Sequence, residues 1–167
     1  SKVKMTKYRY KHYDIDIDYS RDEHLPPASL KTLQDRYMLD EEVSPQEAFA
    51  RAAEAFADDE AHAQRMYDYA SKSWFMFSTP ILSNAGTRKG LPISCFLQYV
   101  PDSIDGLVSN FSESVRLTVN GGGLGAYWGA IRSDGEATSN GSSTGGSVPF
   151  IKVIDSTVMA YHQGSTR

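Results

Sequence analysis

The chain has 167 residues, 40% of them hydrophobic and 23% charged, the balance of a globular domain rather than a disordered or fibrous segment. A net charge of −4 and a sequence pI near 5.5 argue against charge-driven binding to nucleic acid. One cysteine excludes an internal disulfide framework and fits a reducing, cytoplasmic compartment, and no apolar run reaches the roughly 20 residues of a membrane span.

The N-terminal "SKVKMTKYRYKHYDIDIDYS" lacks the apolar core of a signal peptide. It is tyrosine-rich with mixed charge and reads as an extended arm over residues 1–28, with strand-like alternation in "DIDID". "HLPPAS" breaks the chain. A helical cap is expected over residues 29–76. "SLKTLQDRYML" has helical spacing through Leu30, Leu33, Tyr37 and Leu39. In "EEVSPQEAFARAAEAFADD", Ser44 reads as an N-cap, Pro45 as the first helical residue and Glu47 as the partner in a capping box. Phe49, Ala52, Ala53 and Phe56 give that helix an apolar face. A further helix is expected over residues 60–74, with "FADDEAH" as its solvated start and cap.

From residue 75 the texture changes. "FMFSTPILSNAG" has short apolar runs between Pro, Gly and Asn, the pattern of loops or buried strands. "ISCFLQYV" reads as a strand ended by Pro101. Asp102 is the expected cap of a helix through "SIDGLVSNFSESVRLTV", lined on one side by Ile104, Leu107, Val108, Phe111, Val115 and Val119. "NGGGLG" stops it. The polar "AIRSDGEATSNGSSTGGS" is long enough for a functional loop, and "VPFIKVIDSTVMAYHQ" is a final helix.

Several chemistries are absent from the pattern. The four histidines are scattered without metal-ligand spacing, and there is no phosphate-binding P-loop motif. Gly121, Gly123 and Ala126 form a loose G-x-G-x-x-A, but it follows a helix instead of a strand, which is the wrong context for a dinucleotide fingerprint. A helix stop with a tight turn, or glycine N–H groups close to a ligand, are the readings left. Cys95 reads either as a buried small hydrophobe or as a redox thiol at a strand end, which would need a second thiol not in this sequence. Asp102 and Arg132 read as a cap and a surface charge, or as a pair holding ribose and phosphate.

In order, "STPILSNAGT", "ISCFL", "DSIDGL", "GGGLGAYWGAIRS", "VPFIKVIDS" and "QGSTR" resemble the large, catalytic subunit of ribonucleotide reductase from about Ser78 onward. "LQDRYMLDEEVSPQEAFARAA" resembles the segment before that family's barrel. The resemblance implies an α/β fold: a helical cap, then, over residues 77–167, the first part of a ten-stranded α/β barrel. It implies that Cys95 is one of two thiols that reduce the ribose 2′ position, becoming a disulfide as the hydroxyl leaves. Thr79, Ser94 and Gly123 match substrate-contacting positions, Thr79 at a phosphate. Asp102, Ser103, Ile104 and Arg132 match a site for a deoxynucleoside triphosphate effector. The helix after Asp102 matches one that packs on its two-fold mate, and the "SDGEATSNGSSTGG" loop one that senses effector.

The family's thiyl-forming cysteine, second redox cysteine and catalytic glutamate have no match here. The resemblance therefore implies an N-terminal fragment of a split or truncated subunit, paired with a C-terminal chain. No basic, glycine-containing ATP-cone motif is found, so only the specificity site is expected. Thioredoxin or glutaredoxin would regenerate the thiols. A metal-containing small subunit, or alternatively adenosylcobalamin, would supply the radical; this chain itself is expected to bind neither metal nor cofactor. The rival readings are a non-catalytic nucleotide-binding regulatory module and a plain structural domain.

Overall fold

The computed structural model describes residues 13–162, so the first 12 residues of the expected N-terminal arm and the final "QGSTR" lie outside the described residues. The chain divides into two compact units, residues 1–92 and residues 93–167.

In the first unit, residues 14–18 keep their period-two pattern, with Ile15 and Ile17 buried and the aspartates exposed. Helix side chains hold the backbone of this segment. The N–H groups of Tyr13, Asp16 and Asp18 donate to Glu54 Oε1 at 2.7 Å, Gln64 Oε1 at 2.8 Å and the Tyr67 hydroxyl at 2.9 Å. Burial pushes the Tyr67 phenol above its usual range. A 3-10 turn, Tyr19–His24, follows, capped by Asp18.

Helix α1 spans Pro27–Arg36 and buries Leu33. Helix α2 spans Pro45–Phe56. Ser44 caps it, accepting from the Gln46 N–H at 3.1 Å. Glu47 reaches one residue further back than a capping box requires, accepting from the Val43 N–H at 2.6 Å. Ala48, Phe49, Ala52 and Ala53 of α2 are buried with Ala63, Tyr67 and Ala70 of α3 (Glu60–Ser71) in one core. Small side chains let the two helices approach closely.

Two expectations change here. Helix α3 ends at Ser71, and Ser73 takes a left-handed φ of 60°. "TPILSN" forms a short helix, α4 (Thr79–Asn84), where loops or buried strands were expected. Helix α4 packs on α2 within the first unit, which runs through Pro92.

Arg51 of α2 ties these pieces together. It is 2% exposed and pairs with Glu42 at 2.5 Å. Its guanidinium donates to the carbonyls of Ala85 (2.8 Å), Leu82 (2.9 Å) and Tyr37 (3.1 Å). These close the end of α4 and the end of α1, where helices leave carbonyls without partners. Gly86 has φ 71°, and a Cβ there would lie 3.1 Å from the Arg51 side chain.

The second unit holds two parallel strands, β1 (Cys95–Tyr99) and β2 (Gly123–Tyr127), joined by helix α5 (Ile104–Val119) and followed by α6 (Val148–His162). Strand β2 is a finding: its "GLGAY" had read as a helix stop and turn. Glycine is a poor strand former, and pairing to β1 supplies what propensity does not. Register places Cys95 opposite Gly123 and Tyr99 opposite Tyr127, whose rings stack with centroids 5.8 Å apart.

Arg51→Ala would leave the Glu42 carboxylate without its cationic partner and three carbonyls without the guanidinium's donors. It is expected to cost about 3–5 kcal/mol, read from urea unfolding followed by circular dichroism. A midpoint equal to wild type would contradict the role given to this guanidinium.

Candidate functional site

The candidate residues fall in three places. Thr79 belongs to the first unit and begins α4. It is exposed, and its hydroxyl lies 3.1 Å from that of Tyr37, with either able to donate. Both residues line a cavity of about 480 Å³ within that unit. The sequence alone marks Tyr37 only as an apolar helix position.

In the second unit, Ser94, Cys95 and Gly123 come together where the two strands begin. The Gly123 N–H donates to the Ser94 carbonyl at 2.5 Å. A Cβ on Gly123 would lie 3.3 Å from that oxygen, so a side chain would press on the pairing. The Ser94 hydroxyl lies 3.8 Å from Cys95 Sγ. Cys95 is an exposed free thiol, which overturns its reading as buried filler. Ser94 and Gly123 also line a cavity of about 620 Å³ with Gln98, Ser114 and Thr118.

Asp102, Ser103, Ile104 and Arg132 gather at the opposite, C-terminal end of the strands, where α/β sheets commonly bind ligands. Ser103, and not Asp102, is the N-cap of α5, accepting from the Gly106 N–H at 3.0 Å. That frees the Asp102 carboxylate, which pairs with Arg132 Nε at 2.9 Å. Arg132 also donates to the Ala137 carbonyl at 2.8 Å, joining the ion pair to the glycine-serine loop. One isolated bridge, Ala137 to Ser143, orders that loop. Ile104 is 74% exposed beside the pair.

Helix α5 is turned opposite to ordinary expectation. Its buried residues are polar: Asn110, Ser114 and Thr118, four apart along one face. Asn110 Nδ2 and the Ser114 hydroxyl both donate to Gln98 Oε1, at 3.1 and 3.2 Å. Gln98 Nε2 in turn donates to Glu113 at 3.1 Å. Gln98 escaped the sequence reading; the four-residue spacing of small polar residues opposite the apolar stripe was the available signal. Asn110 Oδ1 and Thr118 Oγ1 are buried with no hydrogen-bond partner among the described residues. The apolar stripe stays outside, with Ile104, Val108, Phe111 and Val119 exposed.

Among the described residues no group of three or more His, Cys, Asp or Glu side chains is placed to hold a metal, and no helix is long and apolar enough to cross a membrane.

Two family models match, the ribonucleotide reductase all-alpha domain over residues 24–90 and the ribonucleotide reductase barrel domain over residues 93–167. Their junction coincides with the division between the two units. The chain is 40% identical to the ribonucleoside-diphosphate reductase large subunit of Invertebrate iridescent virus 6, over 92% of this chain and 15% of that one. It is 42% identical to the corresponding subunit of Invertebrate iridescent virus 3, over 92% and 23%. A solved structure, the Actinobacillus ureae class Id ribonucleotide reductase alpha subunit, matches with a TM-score of 0.73 and 33% identity, over 89% of this chain and 28% of that one. The chain thus spans under a quarter of the length of these curated relatives.

The exposure of Cys95 has a direct consequence. In the native chain, Ellman's reagent is expected to titrate one thiol at a rate within a fewfold of that in denaturant. Protection by orders of magnitude would place the thiol in a core.

Proposed function

The chain belongs to the ribonucleotide reductase large-subunit family, with a helical domain followed by the start of the barrel, and on that premise we propose that it serves reduction of ribonucleotides to 2′-deoxyribonucleotides. The observation that carries this reading is the exposed Cys95 thiol beside Ser94 and opposite Gly123 at the start of a parallel strand pair.

Cys95 supplies one of two thiols. In the overall change the ribose 2′ carbon–oxygen bond breaks and a carbon–hydrogen bond forms in its place, while two thiols become one disulfide, one of their hydrogens going to the carbon and the other leaving with the hydroxyl as water. Cys95 is the only cysteine among these 167 residues, so the second thiol belongs to polypeptide outside them. Thioredoxin or glutaredoxin then returns the disulfide to thiols. A radical initiates the chemistry. Similarity to an alpha subunit favours a separate radical-generating subunit as its source over adenosylcobalamin.

Thr79, Ser94 and Gly123 hold substrate, Thr79 through a phosphate oxygen. Asp102, Ser103, Ile104 and Arg132 take a deoxynucleoside triphosphate that sets substrate choice. The Asp102–Arg132 pair is half-exposed and open to exchange, so its guanidinium can turn to phosphate while the carboxylate accepts from ribose. The exposed stripe of α5 packs against a second copy of the subunit. An apolar stripe outward and a polar seam inward suit a helix with a protein partner on its outer side.

Cys95→Ser in the complete reductase is expected to abolish dithiol-dependent multiple turnover, measured as deoxynucleotide formed per enzyme. Wild-type turnover would overturn the redox role and favour a purely regulatory module. Arg132→Ala is expected to weaken effector binding at least tenfold by equilibrium dialysis, while changing stability by no more than about 1 kcal/mol, because its ion pair is partly solvated.

A further inference from the structure

We propose that Tyr37 is a positioning residue for Thr79, fixing the direction in which the threonine hydroxyl offers its proton. The inference rests on the reading of Thr79 as a substrate-phosphate contact.

A hydroxyl has one proton to donate and lone pairs to accept with. A donor aimed at the Thr79 oxygen leaves the single Thr79 proton free for a phosphate oxygen. The Tyr37 hydroxyl, 3.1 Å from Thr79 Oγ1, is placed to be that donor. The order is then Tyr37 O–H to Thr79 Oγ1, and Thr79 O–H to phosphate. Donors in series polarise one another, so the second bond gains from the first.

The placement of the two residues is over-determined. Tyr37 ends α1, where its N–H donates to the Leu33 carbonyl at 3.0 Å. Its carbonyl accepts from Arg51 at 3.1 Å. The same guanidinium binds Leu82 and Ala85, at the far end of the helix that Thr79 begins. One buried cation therefore fixes the backbone beneath both hydroxyls. Both residues line the same cavity, Tyr37 half-buried and Thr79 exposed.

The test uses the complete reductase with Tyr37→Phe, Thr79→Val and the double variant, measuring kcat, KM for substrate and the melting temperature. Tyr37→Phe is expected to raise KM about 3- to 10-fold, the worth of one hydrogen bond to a charged chain, with kcat within about twofold and an unchanged melting temperature. Thr79→Val is expected to raise KM at least as much, and the double variant to match Thr79→Val alone. A wild-type KM for Tyr37→Phe alongside a raised KM for Thr79→Val overturns the positioning role and leaves the Thr79 reading standing. A wild-type KM for Thr79→Val overturns the Thr79 reading, and the proposal with it. An additive double variant, or a Tyr37→Phe loss that follows a lowered melting temperature, also overturns it by assigning Tyr37 an independent or structural part.

Discussion

Parallel pairing of β1 with β2 is the constraint on which the second unit depends. Parallel strands cannot be joined by a tight turn; the chain must return along the sheet, here through α5. Register then does the rest. It sets Cys95 opposite Gly123 at one end and sends both following loops, with Asp102 and Arg132, to the other. The proposed redox and effector residues are thus separated by the length of a five-residue strand, about 17 Å. Neither group needs to touch the other for the strand to hold both in fixed relation.

The first unit obeys a different logic. Its core is largely alanine, which packs closely but fills little volume per residue. Polar connections supply the specificity that such a core lacks. Helix side chains hold an extended segment by its N–H groups, and Arg51 closes two helix ends that would otherwise leave carbonyls without partners. A buried guanidinium is costly to desolvate, and it persists where every donor has an acceptor of fixed position. Arg51 meets that condition with Glu42 and three carbonyls.

Much of this was legible in the sequence because local signals agreed with the final state. Ser44 and Pro45 mark the start of α2, "ISCFLQYV" holds β1, and the apolar periodicity after Asp102 gives α5 to its last residue. The losses were tertiary. "GLGAY" is a strand only because β1 lies beside it. "TPILSN" is helical with its end closed by an arginine more than thirty positions earlier. Asp102 looked like a cap because its neighbour Ser103 has equal claim; the structure gives the cap to serine and the carboxylate to Arg132. The apolar stripe of α5 was found, but periodicity alone marks a stripe without saying which side is covered. The Tyr37–Thr79 contact spans 42 positions and leaves no local trace.

The two-stranded sheet carries one more consequence. Within residues 93–162 it is open along both sides, and Leu97, 92% exposed, stands on a bare face. Such edges present rows of hydrogen-bonding groups that accept any compatible strand. Association of this unit through those edges therefore rises with its concentration as well as with the stability of each copy.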